Sequence, residues 1–156
     1  MRKLLILATM TGVLLVGHTS AIAELIVGLT VQNLLISFDS ATPGTVTTIG
    51  AVTGLTAGDT LVGIDRRPQA LGGAVPGPNN GRIYAVGVNP ATGSARIYTL
   101  NELTGAATLV STLAADPADA TVPFPFTTIA GTSFGVDFNP VPDRLRVVTT
   151  RVRICD

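Results

Sequence analysis

The chain has 156 residues, with 10 Lys or Arg against 10 Asp or Glu, and 46% of its residues are hydrophobic although only 4% are aromatic. Such a balanced charge gives no electrostatic basis for nucleic-acid binding. A single His and a single Cys exclude an intrachain disulfide and the zinc sites that are built from His or several Cys.

The first 23 residues are organised as a secretory signal peptide. Arg2 and Lys3 precede an apolar run at 4–17, and Ala-Ile-Ala at 21–23 offers the small residues that a signal peptidase reads. The apolar run is short and weakly flanked for a membrane span, although an uncleaved anchor is the alternative. We therefore predict cleavage after residue 23, secretion to the periplasm or the exterior, and no membrane association afterwards.

Cleavage would also remove two reactive residue types. His18 and Lys3 are the sole members of their types, so residues 24–156 cannot build a Ser-His-Asp triad or a Schiff-base lysine. Acid–base chemistry would have to come from carboxylates or from Tyr84 and Tyr98. We predict no cofactor, although calcium is compatible with the composition because it needs oxygen ligands alone.

Short alternating runs bounded by Gly, Pro, Asn and Asp predict an all-β chain. No stretch holds a helical apolar period for long. Turn chemistry separates the runs, as in "DSATPG" and "NPATG". The predicted strands cover residues 25–30, 34–39, 45–52, 60–66, 81–88, 94–101, 106–113, 132–138 and 143–149.

Two phrases recur along the sequence. The stretches 63–68 and 135–140 both begin with Gly-x-Asp, keep Asp and Pro three positions apart and lead into a strand that follows an Arg. The stretch 95–113 likewise resembles 33–55, with a strand, a Gly-containing turn and a Thr-rich strand.

The repeats divide the predicted strands into units. Residues 60–113 supply four consecutive strands, 25–52 supply the last three of such a unit, and 132–149 supply the first two of another. Self-similar four-stranded units are typical of β-propeller blades. We predict antiparallel four-stranded repeats that form a partial β-propeller of about two and a quarter blades; a β-sandwich with accidental similarity is the alternative.

The segments "IVGLT", "FDSATPGTV", "TLVGID" and "FGVDFNP" together resemble bacterial secreted proteins that are classed as a domain of unknown function, the DUF4394 family. The resemblance covers nearly all of 25–149. It implies a secreted, propeller-like repeat domain, and it brings no catalytic residues.

The C-terminal end departs from that resemblance. Such proteins usually continue into further repeats after the strand at 143–149, whereas this sequence ends at 156. Residues 24–143 hold four Arg against nine Asp or Glu, but 144–156 hold four Arg against one Asp. We expect an incomplete repeat domain at 24–149 and an atypical basic tail at 150–156. Exposed strand edges and Cys155 then predict self-association.

Asp65, Asp137, Arg82 and Arg144 are the candidate binding residues, because each pair recurs at one repeat position. The two aspartates suit a metal ion or acid–base chemistry, or else each accepts backbone N–H groups in its D-x-x-P turn. Recurrence favours the structural role. The two arginines suit an anionic ligand, or else pair with a turn carboxylate such as Asp143.

Two functions remain open from the sequence. The first is a secreted binding or scaffold module whose unknown ligand or protein partner lies at the rim loops. The alternative is an extracellular enzyme that uses Asp65 and Asp137 around a divalent cation. The lack of His in residues 24–156 favours the binding module.

Overall fold

A computed structural model describes residues 22–68, 79, 81–114, 118 and 128–150. Cys155, most of the predicted signal peptide and all but the first residue of the predicted basic tail lie outside these residues. The described chain has no helix and has nine strands: β1 (Leu25–Leu29), β2 (Leu34–Asp39), β3 (Val46–Ala51), β4 (Thr60–Arg66), β5 (Ile83–Val88), β6 (Ala95–Leu100), β7 (Ala107–Thr112), β8 (Phe134–Asn139) and β9 (Arg144–Thr149). All nine predicted strands are confirmed, with ends within two residues of those observed.

The strands form three antiparallel sheets. The first sheet has the order β1-β2-β3, the second has β4-β5-β6-β7, and the third has β8-β9. Within each sheet, each strand pairs with the next one along the chain, as in a meander. The division into units of three, four and two strands, expected from the repeats, is therefore confirmed.

The second sheet is the middle layer of a three-sheet stack. All six residues of β5 are buried, because the strand is covered on both faces and so carries a continuous apolar run rather than an alternating one. Ile83 and Ala85 lie in the core against the first sheet, and Val86 and Val88 lie in the core against the third sheet.

Each of the two cores combines side chains from adjacent sheets. Burial of these apolar groups between facing sheets is the main favourable contribution to the stack. The core between the first and second sheets contains Leu35, Leu61, Ile83, Ala85, Tyr98 and Leu100, flanked by Val27, Leu29 and Ile49. The core between the second and third sheets contains Val86, Val88 and Ala95, flanked by Val62, Phe134, Val136, Leu145 and Val147.

A glycine allows the third sheet to approach the second. A Cβ atom placed on Gly63 of β4 would lie 2.5 Å from Cγ2 and 2.9 Å from Cβ of Val136 in β8. These distances are shorter than any tolerated contact, so a side chain at position 63 would force β8 away from β4. The Gly of the first Gly-x-Asp phrase is therefore explained by close packing between sheets.

Replacement of this glycine gives the first prediction. Gly63→Val should lower the free energy of unfolding by about 2 kcal/mol, the usual scale of overpacking in a core, as measured by urea denaturation. Gly135→Val is the matched control, because Gly135 is exposed and its nearest neighbour is the movable Val148 side chain. Equal losses in the two variants would contradict the packing argument.

Candidate functional site

Three of the four candidate residues, Asp65, Arg82 and Arg144, lie at one edge of the stack, and Asp137 lies two residues before this edge within β8. Here β4 ends and β5 begins, β6 ends, and β8 ends and β9 begins. Because β4 and β8 lie side by side with the same direction, both D-x-x-P segments leave the sheets at this edge. We call it the strand-end rim, and define it as residues 65–68, 81–82, 101–102 and 139–144.

Asp65 connects the second sheet to the third. Its Oδ1 accepts the N–H of Arg66 at 2.8 Å, and its Oδ2 accepts the N–H of Phe138 in β8 at 2.6 Å. The sequence suggested a bond within the D-x-x-P turn, but the second donor belongs to a different sheet. Both carboxylate oxygens are thus occupied by backbone donors, at a partly buried position where an unpaired N–H is costly.

Asp137 has a different environment although it repeats the same phrase. It faces Arg146 across the β8–β9 register and is exposed. Its side chain makes no hydrogen bond or ion pair with another described residue. The N–H group that Asp65 accepts from a neighbouring sheet belongs to Phe138 of the third sheet. Among the described residues no sheet follows the third, so Asp137 has no equivalent donor there.

Arg67 forms the ion pair that the sequence suggested for Arg82 or Arg144. Its Nε lies 3.0 Å from Oδ1 of Asp143, and its Nη2 donates to Oδ2 of the same carboxylate. This bidentate contact holds the pKa of Asp143 below its usual range. In turn, Asp143 raises the pKa of Arg67, and the Tyr84 hydroxyl makes a smaller contribution in the same direction. The pair joins the segment after β4 to the turn before β9.

An open cleft of about 720 Å³ lies in the rim beside the second sheet, lined in part by Arg66, Arg82, Asn101 and Glu102. Arg66 is held in place, since it donates to the carbonyl oxygen of Gly81 at 2.6 Å and pairs with Glu102 at 2.5 Å. The exposed guanidinium of Arg82 bonds to no described residue. The cleft therefore presents one fixed cation and one cation that has no partner in the part of the chain that the structure describes.

Arg144 is also exposed, at the start of β9, and its guanidinium bonds to no described residue. It belongs to the third sheet, whereas the cleft is lined by residues of the second sheet and its connections. The structure thus places Arg82 in the cleft and leaves Arg144 outside the cleft lining, on another part of the same rim.

A buried polar network was missed by sequence reasoning. The Asp59 side chain is fully buried and accepts from Nη1 of Arg96 and from the hydroxyl of Tyr98, both at 2.6 Å. The Tyr98 oxygen in turn accepts the N–H of Thr56 at 3.1 Å. Gly87 leaves room for the group, because a Cβ there would lie 2.9 Å from the Tyr98 ring. The network fixes the start of β4 against β6.

The described residues contain no group of three or more His, Cys, Asp or Glu side chains that could hold a metal ion. Asp65 is the better placed of the two aspartates, but its oxygens already accept two N–H groups. Calcium binding therefore stays a prediction of the sequence. The same residues contain no helix long and apolar enough to cross a membrane.

The contrast between the two aspartates gives a second prediction. Asp65→Ala should lower the free energy of unfolding by about 2 kcal/mol, because it leaves the Phe138 N–H without an acceptor. Asp137→Ala should change it by less than about 0.5 kcal/mol, as expected for an exposed side chain without partners. Thermal and urea unfolding measure both values. A comparable loss from Asp137→Ala would show that Asp137 has a structural partner after all.

Comparison with known proteins gives one match. The family model described as "Domain of unknown function (DUF4394)" matches residues 34–153, a range that contains β2 to β9 and both Gly-x-Asp phrases. No curated protein and no solved structure matches the chain. The family match confirms the resemblance seen in the repeat phrases, and the chain belongs to the DUF4394 family of domains of unknown function.

Proposed function

We propose that this chain is a secreted binding module that holds an acidic group of its ligand in the rim cleft. The observation that carries the proposal is the exposed guanidinium of Arg82, which has no partner among the described residues and lies beside Arg66, which Glu102 and the Gly81 carbonyl hold in place. A carboxylate, sulfate or phosphate group fits such a pair, since guanidinium groups bind planar and tetrahedral anions through parallel N–H bonds.

The chemistry of the cleft also suggests what kind of ligand suits it. The Asn101 side chain adds polar groups, while Ile83, Leu100 and Leu103 supply apolar lining. A single exposed ionic contact is weak and is screened by salt. We therefore propose a polymer with repeated acidic groups, because several weak contacts along one chain raise the overall affinity.

The stacking of the sheets supports a propeller-like scaffold for this site. Each sheet is a meander of consecutive strands, and the first strands β4 and β8 lie side by side. We propose that the sheets are blades of a β-propeller, in which the connections at one edge form a binding surface. The signal-like pattern at 1–23 supports export, so the proposed ligand is extracellular or periplasmic.

An enzyme that uses Asp65 and Asp137 has less support. Asp65 already accepts two backbone N–H groups, and Asp137 is exposed on the third sheet. No third acidic group joins them among the described residues. We therefore propose binding and not catalysis.

The test measures binding of dextran sulfate and of polygalacturonate, with neutral dextran as the reference polymer, by calorimetry at two salt concentrations. Arg82→Ala should weaken binding of an acidic polymer by about tenfold, the factor that corresponds to one lost charged contact. Arg146→Ala is the matched control, because it removes an exposed cation from the outer face of the third sheet.

The control variant should keep its affinity within about twofold, a factor small against the tenfold effect of one lost contact. Equal losses of affinity in the two variants would indicate that the polymer binds by non-specific charge attraction and not in the cleft. The proposal would also fail if neither acidic polymer bound, or if neutral dextran bound as well as the acidic polymers.

A further inference from the structure

The outer edge of β1 presents unused backbone groups. Ser40 donates its N–H to the carbonyl of Glu24, and Thr30 donates to the carbonyl of Leu34. Because bonding alternates along an antiparallel pair, the even-numbered residues of β1 bond to β2, and Leu25, Val27 and Leu29 direct their N–H and C=O groups away from it. No described strand pairs with this edge.

In the second sheet, the corresponding edge belongs to β5 and is paired with β4. β1 aligns with β5 through the stretches "IVGLT" and "AVGVN", and Gly28 faces Ile36 just as Gly87 faces Arg96. In this alignment Leu25 corresponds to Tyr84, and Val27 corresponds to Val86. Asp65 of β4 pairs with Tyr84, and Gly63 of β4 pairs with Val86. A strand such as β4 therefore has an equivalent position beside β1.

The surroundings of that position match a Gly-x-Asp strand. In the third sheet, Val136 crowds Gly63 and the Phe138 N–H binds Asp65. In the second sheet, Ile64 corresponds to Val136, and the N–H of Arg66 corresponds to that of Phe138. In the described chain that N–H is bound by the adjacent Asp65 carboxylate. Both residues line a small cleft of about 150 Å³ whose other walls include Leu25 and Val27.

We propose that the outer edge of β1 accepts an extended strand that carries Gly-x-Asp and is distinct from β4 and β8. The strand runs antiparallel to β1, with its Asp opposite Leu25 and its Gly opposite Val27. The Gly makes room for Ile64, as Gly63 does for Val136. The Asp carboxylate accepts the N–H of Arg66, as Asp65 accepts that of Phe138.

The strand that fits this edge is neither of the two Gly-x-Asp strands that the structure describes. Gly-x-Asp occurs at 63–65 and 135–137 and nowhere else in the 156 residues. Both copies are already paired within sheets, β4 with β5 and β8 with β9. Strand addition at an open edge is a general mode of peptide recognition, in which backbone bonds give affinity and side-chain positions give specificity.

The experiment titrates the full chain into a fluorescein-labelled peptide that copies residues 59–68, and follows fluorescence anisotropy. Two control peptides carry Gly63→Val or Asp65→Ala. The unchanged peptide should bind, and each control peptide should bind at least about tenfold more weakly because one side-chain requirement is lost. Equal binding of the three peptides, or no binding, would overturn the proposal.

Two chain variants locate the binding edge. Leu25→Pro removes an N–H from the outer edge, where proline is tolerated in a strand, and Leu25→Ala removes the exposed side chain but keeps the N–H. Leu25→Pro should lose binding and Leu25→Ala should keep it, with unchanged thermal unfolding in both. Equal binding by both variants would place the peptide elsewhere. A dimer of the unliganded chain that Leu25→Pro dissociates would assign the edge to a second copy, and would overturn the proposal of a Gly-x-Asp strand.

Discussion

The contact between β4 and β8 is the constraint on which the stack depends. Gly63 lets the two strands approach, and the Asp65 carboxylate binds the Phe138 N–H on the edge of β8 that faces away from β9. A two-stranded sheet has little stability alone. The third sheet is therefore held by its apolar face against Val86 and Val88, by this carboxylate bond and by the Arg67–Asp143 pair.

Much of the fold follows from local sequence. The turn residues mark the strand ends, and the repeated phrases divide the strands into three sheets, because each unit must form the same turns and the same meander. These features depend on residues close together in the chain, so a single sequence contains enough information to predict them.

The candidate site was predicted less completely, because its chemistry depends on which sheet lies opposite. Asp65 and Asp137 have the same local sequence, but one binds a neighbouring sheet and the other is exposed. Arg67 and Asp143 lie 76 positions apart, and no local pattern favours Arg67 over Arg82 as the partner. The buried Asp59 network was missed for the same reason, although an Arg within the apolar strand β6 is a signal that a buried acid lies nearby.

The two proposed binding features use different parts of the same architecture. Strand ends and connections form the rim cleft, whereas the edge of β1 offers backbone groups that resemble those already used between strands inside the stack. Both depend on a stack that places β4 correctly, since Arg66 lines both clefts. The link between β4 and β8 is thus the central claim of the account.

Hydrogen exchange of the Phe138 amide tests that claim most directly. Val27 provides the internal comparison, because its N–H lies on an edge that no described strand covers. If Asp65 holds the third sheet in place, the Phe138 amide should exchange as slowly as the buried amide of Ala85 in β5, and far more slowly than that of Val27. Exchange of Phe138 as fast as Val27 would show that β8 is not held against β4, and would contradict the account.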